Sequence, residues 1–103
     1  MNAAYKALAE KQAAVCSVFA NPTRVLILWA LADGERPVSD IAMAVEASLQ
    51  NTSQHLRLMK ERGILKSRRE AQTIYYHIVE NENTESCQLL LHAYQHMKDA
   101  QFS

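Results

Sequence analysis

The sequence predicts a small, mainly α domain with one β-hairpin near its end. Three observations carry that expectation. The chain has 103 residues, 49% hydrophobic and 21% charged, the balance of a folded domain with one modest core. It holds two glycines and two prolines, too few for the many tight turns of a sandwich. Apolar residues recur at the helical period except in residues 65–79, where they alternate. The whole of 1–103 reads as a single domain. No run of about eighteen apolar residues occurs, and the first twelve residues lack the apolar core of a signal peptide. The expectation is a cytoplasmic protein with no membrane contact.

The first helix is expected over residues 3–19, with Tyr5, Leu8, Val15 and Phe19 on one seam and Ala9, Ala13 and Cys16 beside it. Asn21-Pro22 opens the second: Asn caps, and Pro occupies a first-turn position where its missing N–H costs nothing. That helix runs to about Ala32 and is apolar nearly all round, so it should be central. Asp33-Gly34 ends it. Pro37-Val38 is a short extended piece. Ser39 is read as the cap of a third helix with Ile41, Ala42 and Val45 inward. Ser48 caps a fourth, from Leu49 to about Arg62, with Leu49, Thr52, Leu56 and Met59 inward, and Gly63 stops it. Two strands follow, 65–70 and 73–79, around an Ala71-Gln72 turn. Residues 81–84 form a polar break, and a last helix covers 84–100 with Cys87, Leu90, Leu91, Tyr94 and Met97 as its apolar side. The order is α-α-α-α-β-β-α. Two short helices joined by a tight turn make a helix-turn-helix, and the hairpin after them is a wing.

The formal net charge is zero, which by itself argues against nucleic acid. The charge is segregated, however. Arg57, Lys60, Arg62, Lys66, Arg68 and Arg69 face only Glu61 within one stretch, an electrostatic footprint for an anionic partner. The fourth helix turns Gln50, Asn51, Ser53, Gln54 and Arg57 outward, where an ordinary surface helix shows Glu and Lys. Asn and Gln pair bidentately with adenine, a helix N-terminus beside Ser48 suits phosphate, and Arg68 and Arg69 can meet the DNA backbone. The candidate DNA-binding set is therefore Ser48, Gln50, Asn51, Ser53, Gln54, His55, Arg57, Arg68 and Arg69. The rival from another class is a winged helix used only for protein interaction; the uncharged outer row disfavours it. No nucleophile–base–orienter set and no phosphate loop appears, so an enzyme is not expected.

From Phe19 to Ile78 the sequence resembles the ArsR-type (ArsR/SmtB) winged-helix repressors. The matching residues are Asn21-Pro22-Thr23-Arg24, Val38-Ser39-Asp40-Ile41-Ala42, Ser48, Ser53-Gln54-His55-Leu56, Leu58, Arg62-Gly63-Ile64-Leu65, Arg68-Arg69-Glu70 and Tyr75-Tyr76. The resemblance implies a homodimer through helices 3–19 and 84–100. It also implies repression at a palindromic double-stranded operator, released by an inducer. Arsenic sensors of this family carry a cysteine pair where this chain has Pro37 and Ser39, so that site is absent. The wing turn, usually Gly, is Ala71.

The inducer must act elsewhere. Cys16 and Cys87 are the only thiols. Each lies about three residues from a helix end, so antiparallel packing of the first and last helices would level them. A helix N-terminus would favour the Cys87 thiolate. Two thiols suffice for a disulfide or polysulfide bridge, and some relatives that sense reactive sulfur place their second cysteine in the last helix. Thus the favoured expectation is a Cys16/Cys87 dithiol switch responding to reactive sulfur or an oxidant, with no cofactor. The alternative is a thiophilic or divalent metal ion as inducer, held by Cys or by His92, His96 and Asp99, which resemble the family's last-helix metal site.

Overall fold

The computed structural model describes residues 1–85 and 87–102, without the side chains of 82, 83, 101 and 102. Helix α1 (Ala3–Val18) begins where Asn2 turns extended and its Oδ1 accepts the N–H groups of Ala4 and Tyr5 at 3.0 and 3.2 Å. Helix α2 (Pro22–Ala30) is capped the same way by Asn21, with Pro22 in its first turn. Strand β1 (Arg36–Pro37) leads directly into α3 (Val38–Val45). Ser39 does not cap α3. Pro37 occupies the cap position with no side-chain hydrogen bond, because its fixed φ already supplies the extended entry. Helix α4 (Leu49–Glu61) follows after a turn in which Glu46 takes the left-handed conformation, φ 56°.

Strands β2 (Leu65–Glu70) and β3 (Thr73–Ile78) pair antiparallel, Leu65 opposite Ile78 and Glu70 opposite Thr73. Strand β1 adds to the other side of β3, giving the order β1-β3-β2. The wing turn places Ala71 at φ 54°, a conformation that favours glycine. The last helix is not continuous. A single turn, α5 (Glu82–Glu85), precedes α6 (Gln88–Phe102), with Cys87 between them. Asn81 and Thr84 cap each other across α5: the Asn81 N–H donates to Thr84 Oγ1 at 2.8 Å, and the Thr84 N–H donates to Asn81 Oδ1 at 3.1 Å. That closed pair fixes the start of the short turn.

The core gathers Ile27 and Leu28 of α2, Ile41 and Val45 of α3, Leu56 and Met59 of α4, and Tyr76 of the wing. Helix α6 is fastened to α2. Trp29 and Tyr94 stack at 5.8 Å, the Trp29 indole N–H donates to the Leu90 carbonyl at 3.0 Å, and Lys98 reaches Asp33 at 3.1 Å. Leu90, Leu91 and Tyr94, which the sequence groups with Met97 as one apolar side for a dimer interface, are therefore half-buried against their own domain. The outward apolar residues of α6 are Leu89 and Met97. Helix α1 buries Val15 and Val18 near its end, and residues 1–14 are exposed. No single described helix is long and apolar enough to cross a membrane.

Candidate nucleic-acid interface and thiol pair

Helix α4 is oriented by its buried side, Thr52, Leu56 and Met59. The opposite side carries Gln50, Gln54 and Arg57, all exposed, with Asn51 beside them. Ser48 sits at the cap and its Oγ accepts the Asn51 N–H at 3.0 Å, so this hydroxyl is committed to holding the helix start. The Arg57 Nε lies against the Ser53 carbonyl at 3.4 Å, which lays the guanidinium along the helix. Ser53 is half-buried on the side facing the wing. Leu49, expected inward, is 57% exposed. It comes one residue after the cap, at the start of the helix, where the buried stripe has not yet met the core.

His55 belongs to the interior. Its Nδ1 accepts from Arg24 Nε at 3.2 Å, while Arg24 Nη1 donates to the Val18 carbonyl at 3.1 Å. Burial, and then the charge of Arg24, lower the His55 pKa. His55 is thus engaged by Arg24 within its own domain.

The wing separates its two arginines by the pleat of β2. Arg68 points to the outer face, where Glu35 grips it with contacts of 2.7 to 2.9 Å. Glu70 accepts from it at 3.0 Å, and it lies 4.5 Å over the Tyr75 ring. Those hydrogen bonds raise the Arg68 pKa and the same contact lowers that of Glu35. Arg68 is thus held by two carboxylates of its own chain. Arg69 alternates to the other face, the one shared by Leu65 and Ser67, and Ser67 accepts from Lys60 of α4 at 2.8 Å. Arg69 is exposed and forms no ion pair with a described residue. It is the wing cation that stands beside α4. Between α4 and the wing tip runs an open groove of about 300 Å³.

Cys16 is exposed and Cys87 fully buried, and neither is in a disulfide. Burial first, and then a charge on Cys16, push the Cys87 thiol up to about 11. The helix-terminus expectation for a favoured Cys87 thiolate is thereby reversed: Cys87 precedes α6 inside the core, where desolvation outweighs the helix dipole. Val18, two residues beyond Cys16, shares one core cluster with Cys87, which puts the two thiols in one neighbourhood. His92, His96 and Asp99 are exposed on α6, and Gln95 donates to Asp99 at 2.9 Å. No group of three or more metal-competent side chains occurs among the described residues. Sequence reasoning missed Arg24 and Glu35. The first was visible only as part of the Asn-Pro-Thr-Arg motif; the second carried no local signal.

A buried helix pair joined by a tight turn, an exposed uncharged helix face and a cationic hairpin define a winged helix-turn-helix DNA-binding domain. Residues 21–67 match the family described as bacterial regulatory protein, arsR family. A cadmium resistance transcriptional regulatory protein CadC homolog from Staphylococcus aureus is 36% identical over 104 residues, covering 96% of this chain and 84% of that protein. Among solved structures, reduced HlyU from Vibrio cholerae superposes with a TM-score of 0.78 at 30% identity, over 87% of this chain and 95% of that one. A homodimeric winged helix-turn-helix DNA-binding domain from Mycobacterium bovis gives 0.73 at 31% identity, over 96% and 93%. Other curated relatives are matched over little more than half their length, 52% and 56%. The chain belongs to the arsR family of bacterial regulatory proteins: it is a transcriptional regulator, not an enzyme.

Proposed function

We propose that the chain is a homodimeric repressor that holds a palindromic operator through two copies of α4 and releases it when Cys16 and Cys87 react. The observation that carries DNA reading is the uncharged row Gln50, Asn51 and Gln54 with Arg57, exposed on α4 and flanked by the unpaired Arg69. A two-fold would set the two α4 helices into successive major grooves, about one DNA turn apart or a multiple of it. Dimerisation is supported by α1. A helix with its first dozen residues exposed is marginal alone, and Tyr5 and Leu8 lie uncovered on it, as Leu89 and Met97 do on α6. The homodimeric neighbour has the same architecture.

The switch reading rests on the thiol pair. Exposed Cys16 meets the reagent, and Cys87 then resolves the intermediate. With peroxide, two thiols lose two protons and two electrons to form one S–S bond, and the peroxide leaves as two waters. That bond would tie the end of α1 to the start of α6 and shift the elements on which a dimer would be built. A hundredfold loss of operator affinity requires a difference of only about 2.7 kcal/mol between the two forms. No cofactor is required.

The test is a gel shift on the DNA upstream of the gene. Gln54→Ala should cost roughly 1–3 kcal/mol and relax sequence preference. Peroxide or an organic persulfide should release the wild type, and Cys16→Ser and Cys87→Ser should each abolish release. If both variants still respond, while zinc releases the wild type but not His92→Ala, the metal at His92, His96 and Asp99 takes the place of the thiols.

A further inference from the structure

The groove between α4 and the wing has apolar lips that the domain does not use for itself. Leu49, the first residue of α4, is 57% exposed, and Ile74 on β3 is 37% exposed. They line the same groove with Ser53 and Thr73. Ile74 is the cross-strand partner of Arg69, so the apolar lip stands next to the cation that faces the DNA backbone. Leu49 stands next to Gln50 at the helix end that enters a major groove first. Leu49 is not among the residues of the core cluster.

We infer that Leu49 reads the C5 methyl of one thymine in each half-site, with Ile74 closing the groove behind it. This rests on α4 binding DNA as proposed above. The thymine methyl is the one apolar feature on the edges of the bases in the major groove. The amides of Gln50, Asn51 and Gln54 suit adenine on the same surface. An A·T pair thus offers both halves of the chemistry displayed here: a donor–acceptor edge on one strand and a methyl group on the other. Specificity would then come from A·T pairs in two ways, of which only one involves hydrogen bonds.

The experiment separates the methyl from everything else. Duplexes enriched from a random pool by the wild-type chain are resynthesised with deoxyuridine replacing each thymine in turn, which removes one methyl and leaves pairing intact. Burial of a single methyl is worth about a fourfold change in affinity. We expect one thymine per half-site at which deoxyuridine weakens wild-type binding about fourfold. Leu49→Ala should bind the thymine operator more weakly and show no penalty at that position, while Leu49→Met keeps the penalty. The salt dependence of binding should be unchanged in both variants, since no phosphate contact is altered. A wild type that enriches no sequence removes the operator reading itself. A wild type that enriches an operator but loses less than twofold at every deoxyuridine overturns this inference alone. A penalty that persists in Leu49→Ala overturns it as well.

Discussion

The burial of Cys87 sets the order in which the two thiols react. Its thiol is held at about 11 by desolvation and by the neighbouring Cys16. An unperturbed cysteine, with a pKa of about 8.5, is roughly one-tenth thiolate at pH 7.5, whereas a thiol at about 11 is ionised to roughly three parts in ten thousand. The ratio is about 300, before any steric protection. In Cys16→Ser, folded protein should therefore react with iodoacetamide at least about 300-fold more slowly than the same protein unfolded in guanidinium, read by intact-mass spectrometry over time. In Cys87→Ser, the exposed Cys16 should be alkylated without prior unfolding. If folded Cys16→Ser alkylates within tenfold of its unfolded rate, Cys87 is accessible and the assignment of attacking and resolving thiols is wrong. The same burial has an alkaline signature. The folded pKa lies above the unfolded one, so the unfolded chain gives up the proton first as pH rises. The contribution of the neutral thiol is complete below about pH 8.5 and is lost towards pH 11. Urea midpoints of Cys87→Ala should fall less steeply over that interval than those of the wild type.

Four further outcomes follow from the geometry. Arg69→Gln should weaken binding to all DNA sequences and lower the salt slope by about 1 per protomer, whereas Arg68→Gln should change that slope far less, as fluorescence anisotropy at several salt concentrations would show. Ala71→Gly should raise the urea midpoint by the equivalent of about 0.5 kcal/mol, because Ala71 sits at φ 54°. Thr52 is fully buried and its Oγ1 has no hydrogen-bond partner, so Thr52→Val should stabilise the fold by about 1 kcal/mol in the same assay. Leu89→Glu places a charge on a residue that is 80% exposed in the protomer; sedimentation should show monomers that keep the wild-type circular dichroism.

The helix-turn-helix and the wing were legible because their signals are local. Ile41, Ala42 and Val45 recur at the helical period and are buried, and Ser48 and Gly63 bound α4 as their capping chemistry dictates. The strand bounds agree to one residue. The misread parts depend on contacts distant in sequence. Helix α6 carries two apolar stripes, and nothing local says that Leu90, Leu91 and Tyr94 turn inward while Leu89 and Met97 face out; the Trp29–Tyr94 stack decides it. Arg68 and Arg69 look equivalent until the pleat sends one towards Glu35, 33 positions away. Leu49 fits the spacing of the buried stripe, yet the helix has only begun at that residue and no element covers it.

Arg24 connects the two halves of the proposed mechanism. Its side chain holds the carbonyl of Val18 at the end of α1 and the imidazole of His55 in the middle of α4. Val18 lies two residues beyond Cys16, and the Cys16 carbonyl accepts the Phe19 N–H that closes the helix. His55 is followed by Leu56 and Met59 in the core, and on the opposite side of the same helix turns are Gln54 and Arg57. The end of the thiol-bearing helix and the DNA-facing helix are therefore fastened to one guanidinium, itself fixed on α2. A close-packed interior responds to a displaced element by changing between packed arrangements more readily than by stretching contacts. A new bond from Cys16 to Cys87 that moved the end of α1 would have to break the Arg24–Val18 contact or carry the Arg24–His55 contact with it, and each alternative bears on the orientation of α4.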